Sequence, residues 1–333
     1  QTIVEQRNNM SNYWIEYPFM QSELELVKEF MLSSVSDAIP LVKEPLVELI
    51  GAGGKMLRPA MVILGAKFGK YNSKRVIPVA ACVELLHTAT LIHDDIIDES
   101  KLRRGIEAVH SKYSKEVAVL VGDYVFAKTF DLLAGDYPAE MLKNLSHSIM
   151  RICEGELSQY AHRYSDSLDL DQYIEIIAGK TAALFSMSLF AGAYEARATN
   201  QTQQALVQAG YCIGMAFQIV DDCLDYLGKP ETIGKNVAND IKQGDMTLPL
   251  LFALKNEPSG KLRELVFQSA LTQADVQQIC ALVVEHGGVA MAQEKAKEYG
   301  KDALTALAKL KKSQSRQILE KIVASILETP NQN

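Results

Sequence analysis

Apolar residues recur every three or four positions along almost the whole chain. Between Leu142 and Ile152 they fall at Leu142, Leu145, Ile149 and Ile152, and Val117, Leu120, Val121, Tyr124 and Val125 repeat the spacing. That period gathers them on one face of an α-helix. Sustained alternation and Gly-containing hairpin dipeptides, the marks of strands, are scarce. The pattern predicts helices over 21–50 with a break near Pro40, then 55–70, 74–97, 113–134, 138–164, 170–197, 201–228, 246–256, 272–286, 288–311 and 313–328. Pro59, Pro78, Pro138, Pro230, Pro249 and Pro258 stand near expected boundaries, where a missing N–H costs least. No shift of composition marks a linker, so the reading is one all-α domain over 1–333, with about 1–15 and 328–333 loose.

Hydrophobic residues make up 48% and charged residues 23% of the 333, which suits a packed core and excludes global disorder. Net charge is 34 − 41 = −7, so bulk positive charge is not there to hold a nucleic acid. An anionic substrate must instead meet a local basic cluster. Cys82, Cys153, Cys212, Cys223 and Cys280 lie far apart with no CxxC, which argues against a disulfide framework or a zinc site. The first residues lack a basic segment followed by an apolar run. The longest uncharged stretch, Ala198 to Val220, carries Asn200, Gln201, Gln203, Gln204, Gln208 and Gln218, too polar for a membrane span. A soluble, cytoplasmic protein is expected.

Two acidic clusters carry the candidate chemistry. His93-Asp94-Asp95-Ile96-Ile97-Asp98 and Val220-Asp221-Asp222-Cys223-Leu224-Asp225 both read DDxxD, each after a long apolar helical run. Residues four apart share a helix face, which sets Asp94 beside Asp98 and Asp221 beside Asp225. Three carboxylates within five residues repel one another, and near a helix C-terminus they also oppose the macrodipole. Magnesium answers both problems, since it takes carboxylate oxygens together with substrate phosphates. Two such clusters facing each other would hold metal ions on both flanks of a diphosphate. Without a cation, each reads as a solvated acidic helix end.

Basic residues answer the aspartates. Gly53-Gly54-Lys55-Met56-Leu57-Arg58 puts Lys55 and Arg58 on one face of a helix start, a favourable place for phosphate. Lys101-Leu102-Arg103-Arg104-Gly105 follows the first acidic cluster as a short basic loop. His87 lies two turns before Asp94 and is a candidate phosphate donor, whereas His93 is expected to pack or bond locally. Lys180 and Thr181 sit in a helix, Gln218 stands three residues before Asp221, and Gly234-Lys235 follows the second cluster. Lys180 and Lys235 are candidates to clamp a diphosphate from a second side.

With these motifs the chain resembles the trans-isoprenyl (polyprenyl) diphosphate synthases of medium or long product length. The resemblance rests on GGKMLRP at 53–59, LLHTATLIHDDIID at 85–98, RRG at 103–105, EGELSQ at 154–159, GKT at 179–181, FQIVDDCLDYLG at 217–228, GK at 234–235 and TLPL at 247–250. It implies the all-helical isoprenoid synthase bundle around a central cavity, normally a homodimer. The reaction implied is head-to-tail condensation of isopentenyl diphosphate with an allylic diphosphate, farnesyl or geranylgeranyl diphosphate. Lys55, Arg58, His87 and Arg104 would bind isopentenyl diphosphate. Arg103, Lys180, Thr181, Gln218 and Lys235 would bind the allylic substrate, with Thr181 and Gln218 turning oxygens toward the allylic cation. Asp94, Asp98 and Asp221 would ligate about three magnesium ions bound with the allylic diphosphate. Asp95, Asp222 and Asp225 would support them, and Glu156 and Gln159 would form a polar floor. One position departs from a common pattern: many members carry Gly-Lys before Thr-Leu-Pro, and here Gly244 is followed by Asp245.

The resemblance also bears on product length. Small residues at Ala89 and Thr90, where farnesyl-type relatives carry bulky aromatics, leave an elongation tunnel open along Leu86, Leu85 and Cys82. The first cluster lacks the two-residue insertion of bacterial farnesyl-type enzymes. Both features favour hexaprenyl to octaprenyl products for quinone side chains, passing on to a membrane, with Phe126 as a deeper floor. A geranylgeranyl- or farnesyl-type enzyme, or the catalytic subunit of a hetero-oligomeric synthase, is the alternative. A class I terpene cyclase would not need the isopentenyl pocket, and a non-catalytic subunit would generally lose the aspartates.

Overall fold

The computed structural model describes residues 13–227, 238–268 and 270–328. These form two compact units, one of residues up to 146 together with 187–204, the other of 147–186 together with those from 205 onward. The amino-terminal unit opens on a 3₁₀ turn, Tyr13–Glu16, followed by α1 (Pro18–Ser34), α2 (Pro40–Gly51), α3 (Leu57–Ala66) and α4 (Ser73–Ile97). A hairpin of β1 (Leu102–Arg103) and β2 (Ile106–Glu107) leads to α5 (Val109–Lys112), α6 (Lys115–Leu133) and the start of α7 (Ala139–Ala161). The carboxy-terminal unit takes the rest of α7, the first part of α8 (Leu170–Glu195) and most of α9 (Asn200–Leu227). It continues through α10 (Asn239–Gln243), α11 (Leu248–Asn256), α12 (Lys261–Val266), α13 (Gln273–Glu285), α14 (Gly288–Ala308) and α15 (Gln314–Leu327).

Each predicted helix is present, and local chemistry explains where several of them start. Pro18 and Pro40 occupy first turns, where an N–H would go unpaired in any case. Ser114 and Ser313 accept hydrogen bonds from Val117 and Arg316 amides at the starts of α6 and α15. Asp169 with Gln172, and Thr272 with Asp275, close reciprocal capping boxes at α8 and α13. α4 is apolar on nearly every side and is buried from Val76 to Ile92 apart from Pro78, His87, Thr90 and Leu91. It packs most extensively on α6 and then on α3 and α1, the core of its unit. In the other unit α14 packs against α11 and α15. Each fully buried Leu of these seams, such as Leu85 or Leu307, contributes roughly 1.5–3 kcal/mol of transfer free energy.

Four details depart from the sequence reading. Of the first fifteen residues, expected to be loose, Tyr13 to Ile15 form part of the 3₁₀ turn, because Trp14 is buried and its indole N–H donates to the Lys55 carbonyl at 2.8 Å. Leu120 does not share the core face of α6: it is 67% exposed, and Ala118, Val121, Val125 and Thr129 face inward instead. The basic loop is a hairpin whose turn residues, Arg104 and Gly105, both have positive φ, the conformation of a tight two-residue connection. The short helices α5, α10 and α12 fall outside the predicted spans. Two helices, Ser73–Ile97 and Leu170–Glu195, are long and apolar enough to cross a membrane, but 72% and 78% of their apolar windows are buried within the protein, as in helices of a folded core.

Candidate active site

In the amino-terminal unit, α3 and α4 bring Arg58 and His87 together. The Arg58 Nη1–H donates to His87 Nε2 at 3.0 Å. A guanidinium has no lone pair to offer, so that imidazole nitrogen accepts and the ring carries its proton on Nδ1. Burial, and then the charges of Arg58, Arg104 and Arg103, hold the His87 pKa well below its ordinary value, so the ring is neutral. Arg104, lifted by the hairpin turn, lies 3.4 Å from Glu84. Burial lowers the Arg58 pKa to about 10, opposed by Glu84 and reinforced by Arg104. Glu84 itself is only 3% exposed; burial raises its pKa and the two arginines pull it back. The result is two guanidiniums, one carboxylate and one neutral imidazole, a pocket with positive charge in excess. Lys55 is half-buried on the adjoining loop, which Trp14 fastens through the Lys55 carbonyl.

Glu84 was not singled out from the sequence. Its signal was a lone acid inside the apolar run Ala81-Cys82-Val83-Glu84-Leu85-Leu86, since a buried charge needs a partner.

The first acidic cluster closes α4. Asp98 is its C-cap and donates its amide N–H to the Asp94 carbonyl at 2.8 Å, so the two side chains stand one turn apart, both half-buried. Asp95 points the other way, is buried, and is ion-paired with Arg103. Burial raises the Asp95 pKa and Arg103 draws it down. Burial works against the Arg103 charge, but Asp95, Asp94 and Asp98 raise its pKa on balance. Ala89 is fully buried, and Thr90 donates its hydroxyl to the His87 carbonyl at 2.8 Å. His93 packs locally, with its ring 5.6 Å from Phe126 and its Nε2 3.2 Å from the Val119 carbonyl.

In the carboxy-terminal unit, Lys180 and Thr181 lie on a π-helical turn, Ala178–Ala182, inside α8. Such a turn inserts an extra residue into the helix and re-aims its neighbours, a frequent device at functional sites. Gly155 and Gly179 let α7 approach the turn at backbone distance: a Cβ on Gly155 would lie 2.6 Å from the Lys180 nitrogen, and one on Gly179 would lie 2.6 Å from the Arg151 carbonyl. The Lys180 ammonium donates to Glu156 at 2.9 Å and to Gln159 Oε1 at 3.1 Å. Glu156 and Gln159 thus hold Lys180 directly. Asp245 is buried against the same helix: it accepts from Gln159 Nε2 at 2.7 Å and from Arg163 Nε at 2.9 Å.

The second acidic cluster ends α9. Thr181 donates its hydroxyl to Gln218 Oε1 at 2.6 Å, and Gln218 Nε2 donates to Asp222 Oδ1 at 2.8 Å. The Tyr173 hydroxyl donates to the other Asp222 oxygen at 2.5 Å. Burial pushes the Asp222 pKa up to about 7 against those two hydrogen bonds, with the Asp221 charge adding to the rise. Asp225 accepts from the Asn239 and Asp240 amides, and burial still lifts its pKa to about 6. Burial and the neighbouring Asp225 and Asp222 raise Asp240 well above the ordinary carboxylate range. Asp221 is the exposed member. Tyr173, Asp240 and Arg163 were missed by sequence reasoning, because only the packing of α7, α8 and α10 gives them partners. Lys235 lies outside the described residues.

Hard carboxylate oxygens, with no thiolate or imidazole among the aspartate sets, are the donors that magnesium takes. Among the described residues no three His, Cys, Asp or Glu side chains form a metal cage by themselves. This donor set fits an ion that completes its shell with substrate phosphate and water.

A family model described as polyprenyl synthetase matches residues 39–283. The chain belongs to that family. It is 36% identical over 90% of its length to the all-trans-nonaprenyl-diphosphate synthase (geranyl-diphosphate specific) of Rhodobacter capsulatus, covering 93% of that protein. It is 31% identical over 96% of its length to heptaprenyl diphosphate synthase component 2 of Bacillus subtilis (strain 168), covering 91% of it. The crystal structure of polyprenyl synthase from Caulobacter crescentus CB15, complexed with calcium and isoprenyl diphosphate, superposes with a TM-score of 0.89 at 32% identity, covering 94% of this chain and 96% of that one. The chain is accordingly a prenyltransferase with the all-α isoprenoid synthase fold, and its family joins isopentenyl diphosphate to an allylic diphosphate.

Proposed function

We propose that this prenyltransferase is a magnesium-dependent, homodimeric synthase. It extends farnesyl or geranylgeranyl diphosphate with isopentenyl units to an all-trans product of hexaprenyl to octaprenyl length. The observation that carries the reading is the opposed charge of its two polar sites. One is an arginine pocket with neutral His87; the other is a crowd of carboxylates at the end of α9, where burial lifts Asp222 to about 7 and Asp225 to about 6. The first asks for an anion and the second for a cation.

In this reading Arg58 and Arg104 take the isopentenyl diphosphate with Lys55, and His87 donates from Nδ1. Lys180, Arg103 and Lys235 hold the allylic diphosphate. Thr181 directs its proton to Gln218, which leaves the hydroxyl lone pairs for an electron-poor carbon. Asp94, Asp98 and Asp221 would hold magnesium, which when bound neutralises the charge growing on the departing pyrophosphate. Small Ala89 and Thr90 support a long product, as do the heptaprenyl and nonaprenyl names of the relatives. Val119 and Leu120, exposed on α6, offer apolar surface for a second copy.

The test is the purified chain alone with farnesyl diphosphate, isopentenyl diphosphate and magnesium, its products resolved by length. Products from hexaprenyl to octaprenyl are expected; arrest at geranylgeranyl length would overturn the length assignment. Ala89→Phe should shorten the product. The component 2 relative favours a second reading, a catalytic subunit that needs a partner. It predicts an inactive chain that regains turnover when a partner subunit is added.

A further inference from the structure

We infer that Asp245 is a positioning residue for Lys180 and acts through the Gln159 amide. The inference rests on Lys180 being a contact of the allylic diphosphate.

Two hydrogen bonds through Gln159 connect the two residues, and a third from Arg163 holds the carboxylate. Arg163 Nε donates to one Asp245 oxygen at 2.9 Å, Gln159 Nε2 donates to the other at 2.7 Å, and Gln159 Oε1 accepts from the Lys180 ammonium at 3.1 Å. A glutamine amide has a donating and an accepting end, and here each meets its opposite. Turned over, its oxygen would face the Asp245 carboxylate and its N–H₂ would face the ammonium, two like-to-like contacts. The charge on Asp245 therefore decides which way Gln159 points, and Gln159 then offers Lys180 an acceptor beside Glu156.

The carboxylate is itself fixed. Asp245 is only 4% exposed, and its amide N–H donates to the Asp240 carbonyl at 2.8 Å. Beside it, Tyr164 lies against Gly244, donates its N–H to the Gly244 carbonyl at 2.8 Å and its hydroxyl to the Lys242 carbonyl at 2.8 Å. The loop that carries Asp245 is thereby latched to the end of α7, the helix that carries Glu156 and Gln159, and to the turn after it that carries Arg163. Asp245 needs no contact with substrate to matter. It keeps one ammonium in register with Glu156 and Gln159, a geometry that an electrostatic clamp must have before the leaving group develops its charge.

The experiment uses the full-length enzyme with farnesyl diphosphate varied at saturating isopentenyl diphosphate, then the reverse. Lys180→Ala comes first and should raise the farnesyl diphosphate KM by about tenfold or more. Asp245→Asn keeps the shape and removes the charge; it should raise that KM about three- to tenfold and leave the isopentenyl diphosphate KM within about twofold. In the Lys180→Ala background, Asp245→Asn should change neither constant further, because its effect has lost its target. A normal farnesyl diphosphate KM in Asp245→Asn, a rise in both constants, or effects that multiply in the double variant would overturn the inference while leaving the role of Lys180 intact. A normal KM in Lys180→Ala would overturn both. Should Asp245→Asn fail to fold, Gln159→Met, which fills the half-buried site without an acceptor, takes its place with the same expectations and the same contrary results.

Discussion

The two polar sites bury charge to opposite ends. Around His87, two guanidiniums share one carboxylate, and burial strains the positive charge enough to bring Arg58 down to about 10. Around Asp222, carboxylates from α9 and α10 crowd together, and burial lifts Asp222 to about 7 and Asp225 to about 6. The first holds positive charge in excess and the second holds crowded carboxylates. Each has given up hydration in advance, so an arriving counter-charge meets oriented groups rather than water that must rearrange. The difference also shows in the supports. The basic site is braced by side chains from α3, α4 and the hairpin, whereas the acidic one is braced by a tyrosine, a glutamine and two backbone amides.

The largest effects are expected from removing one carboxylate from each aspartate cluster. Asp94→Ala and Asp221→Ala should each cut turnover by about a thousandfold or more at saturating magnesium, with the helical circular dichroism unchanged. Rates near wild type in either variant would end the metal assignment for that cluster.

A smaller effect is expected at Glu84. Glu84→Gln leaves Arg58 and Arg104 under-balanced and should lower stability by about 2–3 kcal/mol, less than for a fully buried pair because Arg104 is partly exposed. Inorganic pyrophosphate should restore much of the melting temperature, since it supplies the missing negative charge. Loss with no rescue by pyrophosphate would mean that Glu84 only packs.

Tyr173→Phe tests the acidic site from its support. Without that hydroxyl the Asp222 carboxylate loses a donor that stabilises its charged form, and its pKa rises further. The magnesium concentration for half-maximal activity at pH 7 should increase about tenfold and recover toward wild type as pH rises. An unchanged magnesium curve would separate Tyr173 from the metal.

The smallest effect belongs to His87. Its folded pKa lies well below that of an ordinary histidine, so below about pH 6.5 the unfolded chain binds a proton that the folded chain refuses. Stability from this group is therefore present above pH 6.5 and falls with pH below it, by up to about 1.4 kcal/mol per unit. His87→Gln should remove that component of the acid-side loss in a series of melting curves. Identical slopes in the two proteins would show that the ring titrates normally.

Much of this was legible along the chain. A helix announces itself through spacing that any reader of the sequence can measure, and α7, α9 and α15 follow it closely. The aspartate pairs were legible for the same reason: positions four apart meet on a helix whatever surrounds it. Leu120 shows where periodicity stops, since a pattern names an apolar face but not whether a neighbour covers it. Glu84 was visible as an anomaly without a partner. Asp245 was visible as a departure without a meaning, until the fold set it against Gln159 and Arg163.

By itself, then, the sequence determined the helices, the faces on which carboxylates and basic residues stand, and the family to which the motifs belong. These follow from short-range geometry, in which each residue is related to others within a turn or two. Only the tertiary structure decided that Arg104 leans on Glu84, that Tyr173 and Gln218 share Asp222, and that Gln159 joins Asp245 to Lys180. A hydrogen bond reaches only about 3 Å, and partners as far apart along the chain as Gln159 and Asp245 meet within it only once whole helices have packed.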